Sequence, residues 1–269
     1  MCKFQIQTLG QNGRFGNQLW QLTLGIALAR KYNTKVEIPE DWVCRPIFAS
    51  LPIEYVTFGF PNGKTEIRTP VDYIPKQADV DHYPSIDLYG YWQNQSTLDL
   101  VTKSDLLSWF KFSDWIYEMF SIGFQGNEYQ KESYIAIHER RGDYISQFSH
   151  VYCCISHKSY EILLGEIDGE PILTDRVNEE NPYISPTLKD MNLGFMPDFM
   201  RLVNSACLIR SNSTFGWWAG VFCKGTVYSP LVEDKVGWKD VEFVKGNWPR
   251  CADSKNHPGT KLTDLYLKD

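Results

Sequence analysis

The residues best suited to hold a diphosphate lie between His138 and Asp143, in the run His-Glu-Arg-Arg-Gly-Asp. A guanidinium presents a rigid planar fork of N–H donors that matches phosphate oxygens, and two in succession concentrate positive charge. His138 could hydrogen-bond the same ligand or satisfy a backbone carbonyl. The carboxylates Glu139 and Asp143 could accept a proton or brace the arginines. Glu139, Arg140, Arg141 and Asp143 could equally form a structural ion-pair cluster, since such networks also gather charge. Residues 134–137, Tyr-Ile-Ala-Ile, read as a buried strand, and the charges begin where it ends. In open α/β sheets the carboxyl ends of strands are where ligands bind. The RGD tripeptide at 141–143 sits directly behind that strand, which argues against an adhesion loop.

Two further stretches have anion-binding chemistry. Ser211, Asn212, Ser213 and Thr214 are four consecutive good N-cap residues after an apolar run, and a helix with Gly216, Ala219 and Gly220 follows. Hydroxyls and N–H groups gathered at a helix start make a phosphate cradle, unless they only cap the helix. Near the beginning, the alternating residues 4–8 predict a strand leading into Gly10, Gly13, Arg14 and Gly16, before a helix over 17–31 that is apolar nearly all round. Strand, glycine turn and helix start together form a possible anion site. Their spacing matches neither the dinucleotide-binding nor the Walker A pattern, so a tight turn is the alternative.

These stretches must be positioned by an α/β framework. Residues 36–39 read as a strand, and the prolines from Pro46 to Pro84 predict an irregular region. Residues 88–93, Leu-Tyr-Gly-Tyr-Trp-Gln, read as an aromatic strand, with Tyr89 and Trp92 as core. Ser104 is expected to cap a helix from Asp105, and the polar residues 123–133 form a linker. Beyond it, strand and helix alternate three times, which argues for a parallel sheet of Rossmann type. In that half, Ser156 caps a helix, residues 171–174 form a strand with Asp175 at its carboxyl tip, and Pro197 opens a helix carrying Asp198.

The 269 residues, 43% hydrophobic and 22% charged without repeats, describe a globular protein with proper cores. A net charge of -6 argues against a nucleic-acid partner. No run of eighteen apolar residues and no signal peptide is found, so a cytoplasmic protein without a transmembrane segment is expected. The sequons at Asn94 and Asn212 are discounted accordingly. Seven cysteines without C-x-x-C spacing are expected to be reduced thiols.

His138-x-Arg140-Arg141-x-Asp143 resembles the donor-site signature of fucosyltransferases that use GDP-fucose. The fuller HxRRGDY resembles the α-1,2-fucosyltransferases of glycosyltransferase family 11, with Glu139 at a position usually aliphatic there. Residues 13–18, GRFGNQ, are similar to the GRxGNQ signature of that family, and 88–93 to its GYxQ segment. SNSTFGWWAG is similar to its SNSTFSWWAA block, with Gly216 in place of serine. The likeness runs in collinear order from about residue 13 to residue 230.

It implies an α/β, GT-B-like architecture of two Rossmann-type domains facing a central cleft. The acceptor-side domain would take residues 1–125 and the GDP-sugar donor-binding domain 130–245, leaving an irregular tail at 246–269. The implied reaction is inverting transfer of L-fucose from GDP-fucose to a sugar hydroxyl of a glycan acceptor, the 2-hydroxyl of a galactose. Arg140 would be the principal β-phosphate ligand, assisted by Ser213 and Thr214, with His138 and Arg141 on the donor and Asp143 or Glu139 as the base. Gly13, Arg14, Gly16, Asn17 and Gln18 enter as the other family signature. The wider fucosyltransferase group implies Asp198 at the guanine and Asp175 in the nucleotide pocket. No cofactor and no metal is expected. Asp79 and Asp81 have the D-x-D spacing of another glycosyltransferase class, but a hard cation needs more oxygen ligands than this pair supplies. A GT-B enzyme using a different GDP-sugar and a non-catalytic GDP-binding relative are the alternatives.

Overall fold

In the computed structural model, which describes residues 2–58, 66–121, 134–167, 173–178, 186–232 and 235–247, the chain divides into one unit up to Asp114 and another from Trp115 onward. The first contains β1 (Lys3–Gln5), α1 (Phe15–Lys31), β2 (Val36–Pro39), β3 (Glu54–Val56), β4 (Glu66–Arg68), α2 (Gln77–His82), β5 (Ser85–Asp87), α3 (Gln95–Leu98) and α4 (Lys103–Trp109). Its sheet has the order β3-β2-β1-β5-β4, with parallel pairing throughout. β1 is central, and the chain adds strands first on one side of it and then on the other. A topological switch therefore falls beside the carboxyl end of β1, where ligand crevices form in such sheets. Helix α1 is buried almost continuously from Phe15 to Ala29, as its all-round apolar character requires.

Three expectations need correction in this unit. The aromatic stretch 88–93 is not a strand, because β5 stops at Asp87. Trp92 adopts φ +48°, and the Asp72 carboxylate accepts the Tyr91 and Trp92 N–H groups, which bends the chain out of the sheet. Trp92 is nonetheless fully buried, in keeping with a core role. Helix α4 starts earlier than predicted, because Thr102 and Asp105 cap each other reciprocally across its first turn. The proline-interrupted region also contributes two edge strands, β3 and β4.

Helix α5 (Asp114–Ser121) stands at the division. The second unit continues with β6 (Tyr134–Glu139), α6 (Asp143–Ser146), β7 (Cys153–Ile155), α7 (His157–Glu166), β8 (Leu173–Asn178), α8 (Pro186–Asp190), α9 (Met196–Val203), β9 (Cys207–Ile209), α10 (Thr214–Phe222), β10 (Thr226–Pro230), β11 (Gly237–Lys239) and β12 (Phe243–Lys245). The predicted linker at 123–133 and the tail beyond 247 lie outside the described residues. The main sheet has the order β12-β10-β9-β6-β8, parallel except for β12, and β7 pairs with β11 in a separate ribbon.

All six β6 residues are buried, as expected of an interior parallel strand covered on both faces. Ile135, Ile137 and Ile209 pack with Tyr160 and Leu163 of α7. Alternation turns Ala136 and His138 to the other face, where Phe199 of α9 and Phe215 of α10 meet edge to face with ring centres 5.1 Å apart. The chain passes from β6 to β8 on one side and then back across to β9 on the other. The switch point of this second sheet thus lies between β6 and β9. No helix among the described residues is long and apolar enough to cross a membrane.

Candidate functional site

The loops leaving β6 and β9 carry the two stretches with phosphate chemistry, and parallel pairing of Ile137 with Ile209 brings their starting points side by side. Just past that pair, the His138 Nδ1 and Ser211 Oγ lie 3.0 Å apart, joining one loop to the other. Gly216 makes this approach possible. A Cβ there would stand 2.5 Å from His138 Nδ1, so only glycine lets the imidazole pack against the first turn of α10. Burial, and after it the nearby Arg140 guanidinium, push the His138 pKa from 6.5 down to about 3, against smaller opposing pulls from Asp198 and Glu139. The ring is therefore neutral and offers one donor and one acceptor rather than a charge.

Arg140 follows at the strand tip. It is buried, forms an ion pair with Asp143 at the start of α6, and lies over the Tyr144 ring at 4.7 Å. A guanidinium held on two sides in this way loses little conformational freedom on meeting a ligand. Across the switch point, Ser213 caps α10, its hydroxyl accepting the Phe215 N–H at 3.2 Å, and Thr214 is half-buried beside it. The amides of that first turn and the positive end of the helix dipole favour an anion. The cap uses one of the four polar residues expected to share it. Ser211 binds His138, and Asn212 donates to the Cys153 carbonyl at 3.0 Å.

Glu139 and Arg141 alternate to the opposite face. The Glu139 carboxylate is surrounded by Arg176 Nη1 at 2.7 Å, His157 Nδ1 at 3.1 Å and Arg141 Nη2 at 3.7 Å. Arg141 donates to the Ile155 carbonyl at 2.8 Å and lies 4.8 Å from the Trp238 ring centre. For these two residues the ion-pair alternative describes their surroundings, while Arg140 and Asp143 stay on the side of His138. Asp198 is buried in the first turn of α9, holds Arg201 at 3.0 Å, and acts electrostatically on His138. Asp175 requires correction. It is not at a strand tip but within β8, opposite Ala136, because Arg176 carries the strand onward by pairing with Glu139 on β6. The charge at position 175 looked like a strand end, but the chain continues as strand and the next residue, Arg176, forms a diagonal cross-strand ion pair with Glu139.

In the first unit, Gly13 adopts φ +77° and faces Asn17, whose side chain a Cβ there would overlap. Gln18 donates to the Gly13 carbonyl at 3.0 Å and accepts from the Trp42 indole at 2.8 Å, so it braces the loop from inside. Asn17 accepts from Gln93 at 2.9 Å, which joins the GRFGNQ and GYWQ stretches. Gly16 is buried in α1, while Arg14 is exposed at its N-cap position. Of the D-x-D pair, Asp79 caps α2 through the Lys76 N–H and the Tyr73 hydroxyl, and Asp81 accepts from Gln77. Among the described residues no group of three His, Cys, Asp or Glu side chains is arranged to hold a metal.

Neither a protein-family model nor a curated protein matches the sequence. Solved structures match in fold. The NodZ α-1,6-fucosyltransferase soaked with GDP-fucose aligns at a TM-score of 0.53 and 12% identity, covering 91% of this chain and 99% of that one. A mutant of Arabidopsis thaliana FUT1 in complex with GDP aligns at 0.51 and 10%, covering 85% and 69% respectively. The fucosyltransferase NodZ from Bradyrhizobium gives 0.51 and 12%, with 85% and 94% covered. This chain has their α/β fold.

Within that fold, the sequence reading missed Arg210 and the contact of Ser211 with His138. Arg210, at the end of β9, is fully buried, donating from Nε to the Ser229 hydroxyl and from Nη1 to the Ser211 carbonyl, both at 3.0 Å. Ser211 is expected from sequence as one of four residues of a phosphate cradle or helix cap, and its bond to His138 is not. The available signal was that surplus itself, since one helix start needs one capping side chain and the rest must bond elsewhere.

Proposed function

We propose that this protein transfers L-fucose from GDP-fucose to a glycan hydroxyl with inversion at the anomeric carbon. The supporting observation is the meeting of the HERRGDY and SNST loops at the switch point between β6 and β9, joined by His138 and Ser211. Breaking the fucosyl bond builds negative charge on the β-phosphate, so donors fixed there before reaction lower the barrier. Arg140 takes that role, with Ser213, Thr214 and the first-turn amides of α10 on the remaining phosphate oxygens. Neutral His138 contributes a hydrogen bond to the donor and keeps the two loops together. With this countercharge the reaction is metal-independent. Asp198 is assigned to the guanine, on the helix that packs beside His138.

The acceptor hydroxyl must lose a proton as it attacks, and a carboxylate is suited to take it. Glu139 is enclosed by the Arg176 and Arg141 guanidinium groups and the His157 imidazole on the far face, so it braces them. Asp143, half-buried beside Arg140, is the base candidate. The galactose 2-hydroxyl as acceptor, and the roles of the glycine loop of the first unit and of Asp175, rest on resemblance alone. The test is GDP release and product analysis with GDP-fucose, GDP-mannose and GDP-galactose over a panel of galactose-terminated acceptors. Preference for GDP-fucose and an α-1,2-linked product by NMR are expected. Preference for another donor would overturn the assignment.

A further inference from the structure

Three segments around the site converge on the short strand β7. Asn212, in the loop after β9, donates to the Cys153 carbonyl at 3.0 Å. Arg141, in the loop after β6, donates to the Ile155 carbonyl at 2.8 Å. Between them, the Cys154 thiol reaches the carbonyl of Tyr144 in α6 at 3.4 Å. Asn212, Arg141 and all three β7 residues are buried, where water does not compete for these bonds. β7 lies outside the five-stranded sheet and is held by β11, with Gly237 to Lys239 paired along its whole length. The ladder between β6 and β9 ends at Ile137 and Ile209, so it does not reach Arg140 or Ser213.

We propose that Asn212 and Arg141 are positioning residues which use β7 as a common strut to set the spacing between Arg140 and the Ser213 end of α10. Neither touches the donor. Each anchors its loop to the same strand, so losing either anchor leaves one half of the diphosphate clamp displaced from the other. The proposal rests on the diphosphate reading of the site. It also assigns the second arginine of the pair a different task from the first.

The test measures GDP affinity by titration calorimetry on the full chain for wild type, Arg140→Ala, Asn212→Ala and the double variant, with thermal midpoints for each. Misplacing one half of a clamp by about 1 Å costs up to about a hundredfold, so Asn212→Ala is expected to weaken GDP binding by about tenfold or more. In the Arg140→Ala background the same substitution should cost about twofold or less, because the spacing no longer matters once the guanidinium is gone. Arg141→Lys keeps the charge but not the fork, and should behave like Asn212→Ala while remaining folded. Equal losses in both backgrounds, or unchanged affinity in both Asn212→Ala and Arg141→Lys, would overturn the strut. Wild-type affinity in Arg140→Ala would instead overturn the diphosphate reading, and the strut would fall with it.

Discussion

Arg140 and Arg141 are adjacent in sequence yet belong to different environments. Arg140 pairs with Asp143 over the Tyr144 ring on the His138 side, whereas Arg141 is bound to the Ile155 carbonyl and Glu139 on the other. Removing the first should therefore act on chemistry more than on folding. Arg140→Ala is expected to lower transfer by about a hundredfold to a thousandfold, the usual cost of one preorganised donor. Its stability should fall by only about 1 kcal/mol, because Asp143 is half-buried and regains water. Activity falling only in step with the folded fraction, measured by thermal unfolding, would favour the ion-pair alternative. His138 gives a second prediction. Its folded-state pKa is depressed, so between about 6.5 and about 3 the unfolded chain binds a proton that the folded one does not. Stability must then decline as pH falls through that window, by up to about 1.4 kcal/mol per pH unit from this group. His138→Gln should flatten that part of a denaturation-versus-pH curve. An unchanged slope would show that the titrating group is elsewhere.

At the level of elements, the first turn of α10 is where propensity and packing oppose each other. Gly216→Ala would gain about 1 kcal/mol from helix propensity alone. The new methyl, however, meets His138 Nδ1 at 2.5 Å, and overpacking typically costs about 1–3 kcal/mol. Net destabilisation is expected, with loss of the His138–Ser211 bond, and chemical denaturation would measure it. A stabilised variant would show that the imidazole can move aside freely. Similar competition explains what was legible beforehand. β6, α1, α7, α9 and α10 were readable because each carries a long apolar period or a clear cap. β3, β4, β11 and β12 were not, being three-residue strands too short to show a period of their own. Residues 88–93 misled because aromatic content signals β structure, while a carboxylate at position 72 bends the backbone. In the site, charge at the end of β6 was visible, but which arginine faced which way depended on strand parity and on Arg176 arriving from β8.

Over the whole molecule, the same design occurs twice: a five-stranded, mainly parallel sheet whose first strand has neighbours on both sides and a switch point at its carboxyl end, although that strand is central only in the first sheet. The second sheet carries the phosphate chemistry assigned here, while the first presents a glycine loop braced by Gln18 and Asn17. The two sheets belong to separate compact units of the chain, so the cores are expected to open separately. Binding of GDP should then stabilise one of them by mass action, by about 2.7 kcal/mol at a ligand concentration one hundred times Kd. For amides that exchange through opening of that unit, this is about a hundredfold slower exchange. Hydrogen exchange on the full chain with and without GDP should show this protection in β6 and β9, with further slowing in the loops at 140–146 and 210–217, and little change in β1 and β2. Equal slowing in both sheets would mean that they open as one cooperative block, contrary to the separate cores. Slowing confined to β1, β2 and the glycine loop would move the nucleotide to the first unit, and the assignment of Arg140 as its phosphate ligand would have to be withdrawn.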